Sequence, residues 1–161
     1  MNAAILEQKE AYREVNAITG SAGSVIFGTQ SFSGLPVAEL VQDFGLNISV
    51  CNRSVEEATL DDAFDLLDEC VYELHPHKVF LNFGETDMAR PDFDQERFIA
   101  EYEQLIHKTH EGGKRTVYII PVLSAKPEAE RLNLALRALA ERTGSCYVDV
   151  ADIFQLSLIH I

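Results

Sequence analysis

The chain has 161 residues, 47% of them apolar, enough to build one sizeable core; a disordered tail is excluded and two full domains are disfavoured. Twenty-six acidic residues against 13 basic ones give a formal charge of −13. Such a surface repels phosphate backbones and anionic bilayers, so neither nucleic acid nor a membrane is expected as a partner.

Cys51, Cys70 and Cys146 form an odd set with no Cys-x-x-Cys spacing, which fits neither a disulfide framework nor a zinc site. They are expected to be reduced thiols, Cys51 and Cys146 in core strands and Cys70 on a buried helix face. The first 20 residues lack the basic start and apolar run of a signal peptide, and a cytoplasmic location is expected.

In chain order, Ala4 to Ile18 reads as an amphipathic helix that Gly20 and Gly23 end. Five apolar runs of strand length follow, at Ser24 to Gly28, Asn47 to Cys51, Lys78 to Gly84, Thr116 to Val122 and Cys146 to Val150. They are β-branched or aromatic and do not alternate, which predicts parallel strands covered on both faces. Helical patterns separate them at Pro36 to Phe44, Leu60 to Leu74, Phe93 to His110 and Glu128 to Arg142, with Pro and Asp at the starts and Gly at the ends. Alternation of this kind predicts a single domain over 1–161: a doubly wound, flavodoxin-like α/β/α sandwich around a five-stranded parallel sheet.

In such a sheet a ligand sits beyond the carboxyl ends of the strands, where the strand order reverses. Three segments fall there: Gly28 to Gly34 (GTQSFSG), Cys51 to Thr59 (CNRSVEEAT) and Gly84 to Arg90 (GETDMAR). The first holds Thr29, Ser31 and Ser33, and a serine at such a turn can act as a nucleophile whose oxyanion is held by backbone donors. Its glycines and hydroxyls also suit a plain turn and helix cap. Neither a GxxxxGK[ST] nor a GxGxxG phosphate loop is present.

Taken together, VIFGTQSF, VCNRSVEEAT and VFLNFGETD resemble, in order and spacing, the three blocks of the SGNH hydrolases, also called the GDSL esterases and lipases. The resemblance spans roughly Val25 to Val150. It implies the sandwich fold and hydrolysis of an ester through an acyl-serine, on a small acyl ester or an acylated carbohydrate, with no cofactor. Gly28 matches the first glycine of the family; Gln30 then occupies the nucleophile position and Ser31 the next, so Ser31 serves if the turn bulges. Asn52 matches the opening asparagine of the second block, whereas Ser54 and Glu57 replace its glycines. Gly84 and Asp87 match the third block, Gly-x-Asn-Asp, in which Glu85 takes the unspecified position and Thr86 replaces the oxyanion-hole asparagine. These substitutions imply weakened or absent activity and keep a second reading open, a non-catalytic binding module on the same fold.

A general base must lie on the same side of the sheet. His75 and His77 precede the third strand, while His107 and His110 end the helix before the fourth, which puts all four at amino ends, about a strand length of 17–20 Å away. Only His160 follows a carboxyl end. It lies within LSLIHI, which CTG TCT CTT ATA CAC ATC would encode; this looks like a transposon-end adapter, and the natural chain is expected to continue past Gln155 into a loop, the family's Asp-x-x-His block and a closing helix. Glu56, Glu57, Glu85 and Asp87 form an acidic rim that could hold Mg²⁺ or Ca²⁺ through oxygen ligands, or be simply solvated. Arg53 and Arg90 could offset part of that charge. A flavodoxin-like phosphate cradle at Gly28 to Gly34 is a further alternative. Substrate and oligomeric state are not legible in the residues.

Overall fold

The computed structural model describes residues 1–150. It contains helix α1 (Ala3–Thr19), strand β1 (Ser24–Gly28), the one-turn helix α2 (Gln30–Ser33), α3 (Val37–Asp43) and β2 (Val50–Asn52). Next come α4 (Leu60–Cys70), a 3₁₀ turn (Tyr72–Leu74), β3 (Lys78–Asn82) and a second one-turn helix, α5 (Glu85–Met88). Then follow α6 (Gln95–His110), β4 (Thr116–Ile119), α7 (Pro127–Thr143) and β5 (Cys146–Tyr147). The strands run parallel in the order β2-β1-β3-β4-β5, so the reversal lies between β1 and β3 as the alternation predicts.

Local chemistry places the helix ends. The Asn2 side chain accepts from the Ile5 N–H at the start of α1. Thr59 and Asp62 form a reciprocal capping box at α4, and Asp94 caps α6 through the Arg97 N–H. Pro127 occupies the first turn of α7, where its missing N–H costs nothing, and Gly144 closes that helix in the left-handed region at φ 70°.

Helices α1, α4, α6 and α7 pack side by side on one face of the sheet. Val25, Phe27, Val79, Leu81, Val117 and Ile119 meet them and are at most 1% exposed. Each such side chain contributes about 1.5–3 kcal/mol by leaving water. A right-handed crossover from β1 out to β2 puts α3 on the opposite face. There Ile26, Phe80 and Tyr118 form a cross-strand row that is only half-buried, with the Phe80 and Tyr118 rings stacked at 4.6 Å.

Among the described residues helices flank both faces, as the alternation predicts, but four lie on one side and α3 on the other, so burial alternates along β1, β3 and β4 where the non-alternating runs implied equal covering. The cysteine expectation is likewise corrected in part. Cys70 is fully buried and its thiol is held well above its usual pKa by desolvation, whereas Cys51 is half-buried and Cys146 is exposed. Strand β5 is two residues long at the sheet edge, so one flank of Cys146 has no neighbour among the described residues. The predicted strand Asn47 to Cys51 forms over Val50–Asn52 instead, leaving Leu46 and Ile48 exposed in the approach. No described helix is long and apolar enough to cross a membrane.

Candidate active site

Strands β1 and β3 are in register from Ser24↔Lys78 to Gly28↔Asn82, and they come very close at their carboxyl ends. A Cβ at Gly28 would lie 2.7 Å from the Asn82 carbonyl oxygen and 2.9 Å from the Asn82 Cβ, so only glycine fits. Asn82 is itself buried; its Nδ2 donates to the Pro121 carbonyl at 2.9 Å and ties the end of β3 to the end of β4. The Thr29 N–H donates back to the Asn82 carbonyl, locking the first residue of the loop to the neighbouring strand.

From this fixed point both chains leave the sheet in the same way, each into a single helical turn. Ser31 stands three residues past Gly28 in α2, and Glu85 stands three past Asn82 in α5. The strand register thus carries into the loops and brings the two side chains together: the exposed Ser31 hydroxyl donates to Glu85 Oε2 at 2.5 Å. Gln30 is exposed beside Ser31. As the opening residues of α2, Gln30 and Ser31 present backbone N–H groups that have no acceptor among the described residues.

Other candidates take distinct positions. Gly84 precedes α5 with φ 127°, and a Cβ there would meet Val122 Cγ2 at 2.8 Å, so glycine is required on both conformational and steric grounds. Thr86 is half-buried on α5. Asp87 is only 7% exposed; its Oδ1 accepts from the Leu60 N–H at 3.0 Å and its Oδ2 has no partner. Burial raises its pKa to about 6, with hydrogen bonds from the backbone of Leu60 and of Asp87 itself opposing the rise. Asp87 therefore pins the start of α4 to α5.

Asn52 faces inward: its Nδ2 donates to the carbonyls of Phe32 and Leu35, and its Oδ1 accepts from the Ser54 N–H. It clamps the α2–α3 turn, and its amide is fully engaged. Ser54 is buried with its hydroxyl unpartnered, and its carbonyl accepts from Tyr12 Oη. Glu57 is exposed and accepts from Asn2 at the start of α1.

The acidic rim does not assemble into a metal centre. Glu85 is engaged by Ser31, Glu57 by Asn2 and Asp87 by Leu60, and no group of three or more His, Cys, Asp or Glu among the described residues is arranged to hold a metal ion. Arg90 pairs with Asp92, whereas Arg53 turns away beneath α1. A phosphate cradle at Gly28 to Gly34 would set an anion against the Glu85 carboxylate that Ser31 already holds, an arrangement that like charges oppose. His75 precedes β3, and His107 and His110 close α6, all on approaches to amino ends; His160 lies outside the described residues.

Two features escape a reading of the residues alone. Helices α2 and α5 are too short to show a period, and the buried Asn82 was signalled only by a polar residue ending an otherwise apolar run.

The architecture is thus a flavodoxin-like α/β/α sandwich with three loops gathered at its switch point. Solved structures agree. A protein of Streptococcus pneumonia, provisionally described as a platelet activating factor, superposes with a TM-score of 0.79 at 19% identity, over 91% of this chain and 74% of its own. The acetylxylan esterase Axe2 of Geobacillus stearothermophilus gives 0.69 at 18% identity, over 88% and 82%. A provisionally assigned acylhydrolase of Bacteroides fragilis gives 0.69 at 17%, over 92% and 77%. No family model matches the chain, and no curated protein sequence matches it.

Proposed function

We propose that the chain is a single-domain, cytoplasmic ester hydrolase of SGNH type, acting on a small acyl ester or an acylated carbohydrate, with Ser31 as nucleophile. The observation that carries this reading is the exposed Ser31 hydroxyl, hydrogen-bonded to a carboxylate at the carboxyl end of β1. The kinship of fold to an acetylxylan esterase and an acylhydrolase supports the substrate class.

In this proposal Ser31 Oγ attacks the ester carbonyl carbon while its proton passes to Glu85 Oε2. The N–H groups of Gln30 and Ser31 and the Thr86 hydroxyl meet the oxyanion. The C–O bond to the alcohol then breaks, the alcohol takes the proton from Glu85, and an acyl-Ser31 remains. Glu85 then takes a proton from water as the water oxygen attacks the acyl carbon, the bond from that carbon to Ser31 Oγ breaks, Oγ takes the proton back from Glu85, and the acid leaves. Carboxylates are weaker bases than imidazole by about two pK units, so a slow enzyme is expected.

A binding module on the same fold is the second reading. It is favoured by Gln30 at the family's nucleophile position and by the Asn52 amide being spent on the Phe32 and Leu35 carbonyls. Hydrolysis of 4-nitrophenyl acetate and deacetylation of acetylated xylo-oligosaccharides, each compared with Ser31→Ala, test the proposal. Turnover lost in Ser31→Ala together with mass-spectrometric labelling of Ser31 by a fluorophosphonate supports the hydrolase. Binding of the saccharide without turnover supports the module, and turnover that survives Ser31→Ala overturns the assignment of Ser31.

A further inference from the structure

The end of β2 reaches the candidate site without touching its reacting atoms. Helix α2, which carries Ser31, is one turn of four residues, none of them buried. A helix this short is marginal, because fixing its dihedrals gains few hydrogen bonds. Packing holds it weakly too: Gln30 and Ser31 are exposed, and Phe32 and Ser33 are half-buried.

Among the described residues, Gln30 to Leu35 is hydrogen-bonded to distant parts of the chain through two side chains. One is Glu85, which accepts from the Ser31 hydroxyl. The other is Asn52, whose Nδ2 donates to the Phe32 carbonyl at 2.6 Å and to the Leu35 carbonyl at 3.2 Å. Upstream, the Thr29 N–H donates to the Asn82 carbonyl at 3.1 Å. Ser31 therefore lies between two anchors, the Thr29 N–H before it and the Phe32 carbonyl directly after it.

Asn52 is itself fixed. It pairs with Ile26 of β1, and the N–H groups of Arg53 and Val55 donate to the carbonyls of Ile26 and Gly28. The Ser54 N–H donates to Asn52 Oδ1 at 3.0 Å, which leaves the Nδ2 donors to face α2. Carbonyls at the end of a helical turn are where a side-chain donor can hold it. Without this donor α2 would stay tied upstream at Thr29 alone, and Ser31 could swing away from Glu85. A displacement of about 1 Å from reacting geometry is enough to cost roughly a hundredfold in rate.

We propose that Asn52 is a positioning residue of this site: its amide holds the α2 turn so that the Ser31 hydroxyl stays on Glu85. Asn52 meets no reacting atom, and its effect passes through Phe32 to the neighbouring Ser31. The bearing of this clamp on turnover rests on the hydrolase reading, whereas the clamp itself does not.

The clamp can be read without turnover. In the full chain with Cys51→Ser and Cys146→Ser, Ser31→Cys places a thiol against Glu85, while Cys70 is buried and silent. A carboxylate disfavours the thiolate, so Glu85→Gln should move the midpoint of the iodoacetamide rate against pH down by about 0.5–1 pH unit. With Asn52→Leu added, Glu85→Gln should move that midpoint by less than about a third as much, because residue 31 no longer rests on residue 85. Should Asn52→Leu fail to fold, Asn52→Asp keeps the volume and the acceptor for Ser54 while its ionised form donates nothing. It should lose the same coupling, and its added charge cancels in the comparison. With Ser31 and the cysteines in place, Asn52→Leu should lower kcat on 4-nitrophenyl acetate about ten- to a hundredfold with KM nearly unchanged. An equal movement of the midpoint with and without Asn52 overturns the proposal. So does no movement with Asn52 in place, which would mean that residue 31 does not sit on Glu85. Lost coupling with kcat unchanged overturns the positioning role, and lost coupling in a chain that shows no turnover leaves the clamp standing and overturns the hydrolase reading instead.

Discussion

Asp87→Asn tests the electrostatics of the candidate site most directly. Asp87 is buried, one oxygen accepts from the Leu60 N–H and the other has no partner, and burial lifts its pKa from 3.8 to about 6. Below pH 3.8 the carboxyl is protonated in both the folded and the unfolded chain and makes no difference. Between those pH values the unfolded chain ionises while the folded one does not, and stability falls as pH rises. Above pH 6 both forms are charged and the full penalty stands. A shift of about two units corresponds to about 3 kcal/mol, or roughly a hundredfold in the folding equilibrium. Asparagine keeps an oxygen for the Leu60 N–H and carries no charge. Urea unfolding between pH 4 and pH 8 should therefore show Asp87→Asn close to wild type at pH 4 and more stable by about 2–3 kcal/mol at pH 7.5. Asp61 opposes ionisation of Asp87 and Arg90 favours it, so Arg90→Gln should widen the gap. A stability difference that does not vary with pH, or a variant less stable than wild type at pH 7.5, refutes the argument.

Glu85→Gln keeps an acceptor for the Ser31 hydroxyl but takes no proton, so kcat on 4-nitrophenyl acetate should fall by about 10²–10⁴-fold with KM nearly unchanged; an unchanged kcat removes Glu85 from the chemistry. Gly84→Ala should destabilise by about 1–3 kcal/mol in thermal unfolding, since alanine there is strained at φ 127° and meets Val122 at 2.8 Å. Thiol titration of the native protein should label Cys146 at once, Cys51 more slowly and Cys70 only after unfolding; Cys70 reacting as fast as Cys146 would contradict its burial.

The fold was legible because it rests on patterns that local chemistry imposes. Gly144, Pro127 and Asp94 are read at their own positions, and each ends or begins a helix where expected. Strand bounds were less legible. Leu46 and Ile48 look like strand residues, but the chain reaches the sheet only at Val50, where pairing with Ser24 begins. Likewise Cys146 lies in an apolar run whose covering depends on neighbours far away in sequence.

The candidate site was legible as three loops, but the contact that matters within it was not, and the reason is geometric. Ser31 and Glu85 have no relation along the chain; they meet because β1 and β3 pair in register up to Gly28↔Asn82 and both strands then turn into one helical turn. Matching residues to blocks one at a time set Gln30 at the nucleophile position and Glu85 between two others, whereas the register sets Ser31 against Glu85. The same register explains why Gly28 carries more weight than a loop glycine would: a methyl group 2.7 Å from the Asn82 carbonyl would force β1 and β3 apart at the place where the Ser31–Glu85 distance is set. Strand packing and site geometry are thus one constraint. That constraint involves backbone and glycine rather than the side chains at positions 30, 57 and 86, and the fold it belongs to is recognisable in solved structures at 17–19% identity.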